Sequence, residues 1–249
     1  NDTAYVLKTT NGGDNWNIAN VRAGRFVGYN KVLFLNSVTG FVCGVYQSGV
    51  YTGVNKSTNG GLNWININIP EIYPKDMSVL NENNLWIVDS DGLVGGVYKT
   101  TNGGSSWTRQ LNLGTLNPEN IYMYNKDIGF ISKVNTGAPY TRKTTDGGQS
   151  WFVVVNNEGF TDMHLADSLI GWRSYGTMKK TTDGGLSWLN QTLPITIFTQ
   201  IDKFSNVNSD TIWGGGGFLI FPNNQARGIL YRTTTVSYTH LRAHETPEH

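Results

Sequence analysis

Hydrophobic residues of this chain occur in short runs bounded by Gly, Asn and Asp, with no sustained helical periodicity between them. The runs are rich in Val, Ile, Phe, Tyr and Trp, as in GFVCGVY at residues 40–46. Short β-branched and aromatic runs between turn residues are typical of β-strands. The pattern therefore predicts an all-β protein whose strands are joined by frequent turns.

A nine-residue motif recurs five times along the chain. It reads KTTNGGDNW at 8–16, and the later copies are KSTNGGLNW (56–64), KTTNGGSSW (99–107), KTTDGGQSW (143–151) and KTTDGGLSW (180–188). Successive copies lie 37 to 48 residues apart. A regular period of roughly 20–50 residues indicates a solenoid, a propeller or a repeat array.

A second pattern precedes each later motif copy and consists of an Asn- or Asp-containing turn followed shortly by an aromatic residue. These aromatic residues are Phe41, Trp86, Phe130 and Trp172, and a fifth, Trp213, precedes the start of a further copy at 231–235. The repeat length has room for four strands of about 5–6 residues with their turns, which is the content of one propeller blade. The sequence thus predicts a β-propeller of four-stranded blades, with about five blades in residues 1–235.

The chemistry of the motif predicts a hairpin turn that is built in the same way each time. In the copy at 99–107, Asn102 can accept hydrogen bonds from the backbone amides that follow it. Gly103 and Gly104 can adopt the positive φ angles of a tight hairpin, and Trp107 can pack its ring over the hairpin base. The predicted structural set is Asn11, Gly13, Trp16, Asn59, Gly61, Trp64, Asn102, Gly104, Trp107, Asp146, Gly148, Trp151, Asp183, Gly185 and Trp188.

The motif resembles the Asp-box, or bacterial neuraminidase repeat, in its order of Ser/Thr, Asp/Asn, Gly and Trp. With its Lys-Thr-Thr start and the aromatic pattern, it is most similar to propellers of the photosystem II assembly/stability factor family, over residues 1–235. Sortilin-type receptors, sialidases and xyloglucan-cleaving glycosidases resemble it more loosely. The resemblance implies roughly six or seven blades in an intact propeller and an origin in a secreted or cell-surface bacterial protein.

The two ends of the chain suggest that it is an internal piece of a longer protein. VSYTHLRAHET at 236–246 resembles the in-frame translation of a transposase-based sequencing adapter. We therefore expect 1–235 to be the propeller domain and 236–249 to be a non-native tail. A sixth motif copy begins at YRTTT (231–235), with Arg232 in the position of the motif Lys.

Composition and charge narrow the range of partners. The formal net charge is +1 and only 15% of residues are charged, so a nucleic-acid partner is not expected. No run approaches the roughly 18 apolar residues of a membrane-spanning helix. Cys43 is the single cysteine, so no disulfide or thiolate metal site is predicted. A low charge with abundant Gly, Asn, Thr and aromatic residues suits an exported protein, which would be secreted, periplasmic or at the cell surface.

Catalytic residues do not emerge from the spacing of the polar residues. A glycosidase needs two carboxylates about 5–10 Å apart, and the spacing selects no pair among Asp76, Glu82, Asp89, Asp91, Glu119, Asp127, Glu158, Asp162, Asp167 and Asp202. His164 is the single His outside the tail, so no Ser-His-Asp set can be assembled. No cofactor or metal is predicted. An exported glycoside hydrolase, sialidase-like or xyloglucanase-like, is the alternative function.

A binding surface is predicted on the variable loops, because function usually lies on loops that a rigid scaffold holds. Tyr and Arg are favoured anchors of protein interfaces, which selects Tyr73, Tyr122, Tyr124, Tyr140 and Arg142. The sequence thus favours a non-enzymatic binding or scaffold propeller with a protein or glycan partner. A role in photosystem II assembly is a further alternative, implied by the family resemblance alone.

Overall fold

The computed structural model consists of β-strands and turns, and the part of the chain that it describes contains no helix. The described residues are 5–19, 26–46, 52–70, 72–90, 95–134, 137–193, 200–206, 211–220 and 225–233. The prediction of an all-β fold is confirmed. Asp91, residues 234–235 of the sixth motif copy and the tail 236–249 lie outside the described residues.

Four antiparallel sheets of four strands each follow one another along the chain, and in each sheet neighbours in sequence are neighbours in space. The first two sheets are β3 (Phe26–Phe34), β4 (Gly40–Tyr46), β5 (Thr52–Ser57) and β6 (Ile65–Ile67), then β7 (Pro74–Val79), β8 (Leu85–Asp89), β9 (Gly95–Thr100) and β10 (Thr108–Gly114). The next two are β11 (Asn120–Met123), β12 (Gly129–Lys133), β13 (Tyr140–Thr144) and β14 (Phe152–Asn156), then β15 (Asp162–Leu165), β16 (Gly171–Tyr175), β17 (Thr177–Thr181) and β18 (Leu189–Asn190).

Two smaller sheets stand before and after these four in the sequence. A hairpin pairs β1 (Val6–Lys8) with β2 (Asn17–Ala19), and a three-stranded sheet joins β19 (Gln200–Asn206), β20 (Ile212–Ile220) and β21 (Gln225–Thr233). The motif joins the third strand to the fourth in every four-stranded sheet, and it also joins β1 to β2. The aromatic pattern joins the first strand to the second. Each repeat unit therefore corresponds to one sheet.

Burial differs systematically between strands of the same sheet. The second strand β8, with the sequence LWIVD, is buried at all five positions, whereas the last strand β14 has no buried position. A strand that is buried on both faces reads as a continuous apolar run, and a strand at a solvated edge does not. The inner strands therefore carry the core, and the fourth strands form the outer edge.

The described residues group into two compact units, one within Asn1–Ile131 and Thr144–Trp151 and the other within Ser132–Lys143 and Phe152–His249. In the first unit, Met77, Leu85 and Ile87 of the sheet β7–β10 pack against Phe41 and Cys43 of the sheet β3–β6. In the second unit the core consists of Trp172, Met178, Leu193, Ile201, Ile212 and Tyr231. Each fully buried Leu, Ile or Met side chain contributes roughly 1.5–3 kcal/mol to stability.

Candidate functional site

The repeated motif folds into a turn that is organised around one hydroxyl group. In the fourth copy, Thr144 Oγ1 accepts a hydrogen bond from the Gly148 N–H at 2.8 Å and donates to Asp146 Oδ1 at 2.8 Å. Asp146 Oδ1 also accepts from the Ser150 N–H at 2.9 Å. The corresponding hydroxyl is that of Thr9, Ser57, Thr100 and Thr181 in the other copies, with the same bonds to Gly and to Asn or Asp.

The two motif glycines have positive φ in all five copies. In the four-stranded sheets, the first motif glycine also donates a hydrogen bond to the turn between the first and second strands of the same sheet. The Gly147 N–H donates to the Asp127 carbonyl at 2.8 Å, and Gly184 donates to Leu169 at 2.8 Å. Gly147 and Gly184 both have φ of 72°, a conformation that costs a side-chain-bearing residue roughly 1–2 kcal/mol. Glycine is therefore required here by the backbone conformation and by the closeness of the neighbouring turn.

The motif tryptophans use their indole N–H in two ways. Trp64, Trp151 and Trp188 each donate to the carbonyl of the second motif glycine at 3.1 Å, which closes the hairpin on itself. Trp107 instead donates to the Asn68 carbonyl at 3.0 Å, so it binds the segment after the preceding sheet. Trp16 is exposed. The ring is thus part of the turn in three copies and a link between sheets in the copy at Trp107.

Sequence reasoning missed the role of the first motif residue, which is Lys in all five copies. Lys99 lies directly across the sheet from Trp86, with Nζ 4.6 Å from the ring centroid, and the same pairing joins Lys56 to Phe41 and Lys180 to Trp172. The available signal was that the motif Lys and the preceding aromatic residue recur together. Such cation–π contacts contribute about 0.5–2 kcal/mol each.

The same Lys side chains also reach the motif turn of the following sheet. Lys8 Nζ donates to the Gly60 carbonyl at 2.5 Å, and Lys99 Nζ donates to the Gly147 carbonyl at 3.2 Å. The Trp86 indole N–H donates to the same Gly147 carbonyl at 3.2 Å. Burial lowers the pKa of Lys99. The motif therefore holds its own hairpin and also joins neighbouring sheets.

In the two motif copies that have Asp in place of Asn, the pKa of the Asp carboxyl group is lowered. Hydrogen bonds from the Ser150 hydroxyl and N–H lower the pKa of Asp146 to about 2. At Asp183, partial burial opposes ionisation, but hydrogen bonds from Ser187 outweigh it and lower the pKa to about 2. Both shifts arise inside the turn, so they are explained by the turn geometry and need no bound substrate.

These shifts predict an acid-dependent stability that the Asn copies lack. A carboxyl group whose pKa is lowered by folding stabilises the protein above its unfolded pKa, and this contribution is lost as the pH falls through the folded value. We expect the double variant Asp146→Asn/Asp183→Asn to lose less thermal stability than the unmodified protein between pH about 4 and pH about 2. The measurement is the melting temperature across this range.

Asn at both positions should preserve the turn, because Asn102 makes the equivalent bonds in the third copy. Its Oδ1 accepts from the Ser106 N–H at 2.9 Å, and its Nδ2 donates to Ser106 Oγ at 2.9 Å. Asp167→Asn serves as a comparison from outside the motif. The pKa of Asp167 is also lowered by hydrogen bonds from backbone N–H groups, so this variant shows how much acid dependence comes from an ordinary turn carboxylate. An identical pH profile for the double variant and the unmodified protein would show that the motif carboxylates contribute nothing.

The five residues predicted to bind a partner differ in burial and in the elements that carry them. Tyr73 precedes β7 and is exposed, while Tyr122 and Tyr124 are half-buried at the end of β11. Tyr140 lies in strand β13 and is buried, with the Arg142 guanidinium 5.4 Å from its ring. The expectation that Tyr140 belongs to an accessible loop is therefore corrected, because its strand position directs the ring into the protein.

Two acidic residues, the buried Asp76 and the half-buried Asp162, make the same kind of bond from the first strands of their sheets. Asp76 Oδ2 on β7 accepts a hydrogen bond from the Ile121 N–H of β11 at 3.0 Å. Asp162 Oδ2 on β15 accepts from the Phe204 N–H of β19 at 2.8 Å. Each carboxylate thus satisfies a backbone amide of the next sheet.

Asp76 also has a cationic partner and a neighbouring thiol. Lys31 Nζ lies 3.0 Å from Asp76 Oδ1. Burial raises the pKa of Asp76, with Lys31 opposing the shift. Burial and the Asp76 charge raise the pKa of the nearby Cys43 thiol. A buried, un-ionised thiol is a poor nucleophile, so this cluster is suited to structure and not to covalent catalysis.

Glu158 joins two cationic side chains of the sheet β15–β18. Its Oε2 accepts from Arg173 Nη2 at 2.5 Å and from Lys179 Nζ at 2.6 Å. Arg173 is buried and also donates through Nη1 to the Gly159 carbonyl at 2.6 Å. Its guanidinium lies 5.2 Å from the Trp188 ring centroid. Although burial opposes ionisation, hydrogen bonds from Lys179 and Arg173 lower the pKa of Glu158.

Most other candidate carboxylates also bind neighbouring groups of the protein. Asp89 Oδ1 accepts a hydrogen bond from the Tyr73 N–H, and Asp167 Oδ1 accepts from the Leu169 and Ile170 N–H groups. Glu82 forms an ion pair with Lys56, and Asp127 forms one with Lys126.

His164 lies on β15, where burial lowers its pKa. Within the described ranges, no group of three or more His, Cys, Asp or Glu side chains could hold a metal ion.

A search for membrane-crossing helices among the residues that the structure describes gives none of sufficient length and apolarity.

No protein-family model and no curated protein matches the sequence. Solved structures do match the fold. YCF48 from Cyanidioschyzon merolae has 16% identity over 91% of this chain and 76% of its own, with a TM-score of 0.64. YCF48 bound to a D1 peptide has 12% identity, covering 86% of this chain and 70% of that one, with a TM-score of 0.56.

The GH74 enzyme of Niastella koreensis is also similar, with 16% identity over 84% of this chain and a TM-score of 0.69. This chain spans only 37% of that enzyme. At these identities the likeness establishes the fold alone. The protein is a β-propeller built from four-stranded blades, as the repeat predicted, and its structural neighbours include YCF48 and a GH74 enzyme.

Proposed function

We propose that this chain is a non-enzymatic binding or scaffold propeller of an exported or cell-surface bacterial protein, and that its partner is a polypeptide. The observation that carries the proposal is the structural use of its acidic residues. Asp76 and Asp162 bind backbone amides of the next sheet, and Glu158 binds Arg173 and Lys179. A carboxylate whose oxygens already accept hydrogen bonds from the protein is poorly placed to act as a general acid or a nucleophile.

The motif supports the same proposal. Its Thr, Asn or Asp, Gly and Lys side chains bind one another or the next turn, and the resemblance to the Asp-box implies a structural motif as well. A rigid scaffold of this kind commonly presents a binding surface between or at the ends of its elements. The propeller likeness includes a YCF48 structure that is described as bound to a D1 peptide, and by analogy a polypeptide is the partner class we favour over a glycan.

The hydrolase alternative rests on the likeness to a GH74 enzyme, whose chain is much longer than the part that matches. An active site of that class needs two opposed carboxylates. Among the described candidates, Asp202 on β19 is exposed. A reaction would therefore have to be built around Asp202 or around groups that already hold the fold together.

The test compares hydrolysis with binding on the same preparation. Peptides are selected from a random displayed library, and binding of the enriched peptide is measured by calorimetry. Release of reducing ends is measured with xyloglucan and with a sialyl oligosaccharide. We expect saturable peptide binding with a Kd of about 10 μM or tighter, and no sugar release. Sugar release that the variant Asp202→Asn abolishes, or saturable binding of a glycan with no selected peptide, would contradict the proposal.

A further inference from the structure

The fourth strand of each sheet is an edge strand, because among the described strands it pairs only with the third. An edge strand presents backbone N–H and C=O groups on its outer side, and these groups can pair with a strand of another chain. Natural proteins prevent such pairing with very short edge strands, with charged residues or Pro, or with bulges. The fourth strands of this chain can therefore be compared for the protection that each one carries.

Four of the five fourth strands are protected in one of these ways. Strands β2 and β6 have three residues each, and β18 has two. Strand β10 is longer, but it carries Arg109, and its register against β9 shifts twice. The three short strands each expose one large aliphatic residue, namely Ile18, Ile65 and Leu189. Two or three residues offer too short an edge for stable pairing.

Strand β14 lacks most of this protection. Its sequence FVVVN has five residues, no charge and no Pro. Phe152 and Val153 are 42% and 40% exposed, and Val154 and Val155 are half-buried. Successive residues of a strand point to opposite faces, so both faces of β14 carry accessible apolar side chains. A single shift of register against β13 is the one irregularity of this pairing.

The sequence of β14 is also typical of segments that pair with identical segments of other chains. Such segments combine high β propensity, low net charge and no Pro over about six or seven residues. Residues 151–157, WFVVVNN, meet these three conditions. The extended strand ends at Asn157, whose φ of 64° is left-handed. The segment available for pairing is therefore β14 itself.

Two β14 strands are complementary to each other in one antiparallel register, centred on Val154. This register uses the whole strand, and it places Phe152 opposite Asn156 and Val153 opposite Val155 of the other copy. Like charges that face each other across a strand pair are destabilising. None meet here, since the nearest charged residue, Glu158, would face Ser150. A second copy thus matches this edge both in apolar character and in charge.

We propose that β14 is a self-association edge, at which two copies of the chain pair their β14 strands antiparallel about Val154. The pairing would join two four-stranded sheets into one continuous sheet. Each copy contributes the same edge, so the contact is isologous and the assembly closes at a dimer. The inference goes beyond the proposed function and does not depend on it.

The expected dimer is weak, because one strand pair is a small interface. We expect a Kd of about 10–100 μM. Sedimentation velocity of the unmodified protein from about 2 μM to about 500 μM measures it, and the average mass should rise to that of two chains and then stay constant. Backbone amides of 152–156 should exchange with deuterium more slowly at the highest concentration, because strand pairing protects them.

The variant Val153→Lys places a charge against the apolar Val155 of the other copy, and we expect it to raise the dimer Kd at least about tenfold. Val153 is 40% exposed, so the fold should be preserved, and the melting temperature checks this. Ile65→Lys is the matched control, because Ile65 is a 69% exposed residue of another fourth strand. Its Kd should stay within about twofold of the unmodified value.

Two double variants test the register. Val153→Lys/Val155→Glu places opposite charges across from each other in the Val154-centred pair, so its Kd should be at least about fivefold lower than that of Val153→Lys. Val153→Lys/Val155→Lys places like charges there and should remain a monomer. Equal Kd values for the two double variants would contradict the register and the proposal with it. If either double variant fails to fold, the single variants and the amide exchange decide the question.

Several results would overturn the proposal. One is a mass that stays at a single chain up to about 500 μM. Others are a dimer that Val153→Lys leaves unchanged, which would lie on another surface, and growth beyond two chains, which an isologous pair does not allow. A library-selected peptide that binds a monomeric protein and is lost in Val153→Lys would assign the edge to a partner polypeptide instead.

Discussion

Replacing Gly147 with Ala is expected to lower the free energy of unfolding by about 3 kcal/mol, a large fraction of a domain's stability. Gly147 has φ of +72°, and a Cβ added there would lie 2.6 Å from the Lys126 carbonyl oxygen. The residue therefore meets both a strained backbone conformation and a backbone atom that cannot move aside cheaply. The measurement is the midpoint of urea-induced unfolding.

Gly12→Ala is a control within the same repeated motif. Gly12 also has φ of +72°, but a Cβ there would have no atom within 4 Å. It should cost only the backbone strain of about 1 kcal/mol. If both variants shift the unfolding midpoint equally, the close approach of the two turns has no energetic role, and the motif acts only through its own hairpin.

Replacing Glu158 with Gln is the second change with a large expected effect, about 2 kcal/mol of destabilisation. The substitution removes the negative charge that Arg173 and Lys179 share. Arg173 is 1% exposed, and removing one partner of a buried ion pair leaves an uncompensated charge. The expected cost is lower than for a fully buried pair, because the Glu158 side chain is 33% exposed and partly screened.

A double-mutant cycle tests whether the loss of stability comes from the uncompensated charge on Arg173. Adding Arg173→Met to Glu158→Gln removes the uncompensated charge, so we expect the double variant to recover part of the lost stability. Glu82→Gln is the control, because the Glu82–Lys56 pair is at the surface, and its effect should be much smaller. Additive losses in the double variant would show that Glu158 stabilises the fold by some means other than its charge on Arg173.

The repeat allowed the fold to be predicted, because turn chemistry and strand length are local properties of the sequence. The motif glycines have positive φ in turns between strands, and the recurring aromatic residues lie in the second strands of their sheets. The role of Lys99 was not predictable in the same way. Its contacts with Trp86 and with the Gly147 carbonyl depend on the sheet register and on the neighbouring sheet.

The candidate binding residues were the least predictable part. Tyr140 and Tyr73 are the same residue type and each is next to a proline in the sequence, yet Tyr140 is buried in β13 and Tyr73 is exposed just before β7.

We propose that this propeller binds a polypeptide and catalyses no sugar hydrolysis. The proposal is tested by calorimetric titration of the protein with a library-selected peptide, together with a reducing-end assay on xyloglucan from the same preparation. We expect saturable peptide binding and no reducing ends above the protein-free reaction. Reducing ends that accumulate in proportion to the protein, without peptide binding, would contradict it.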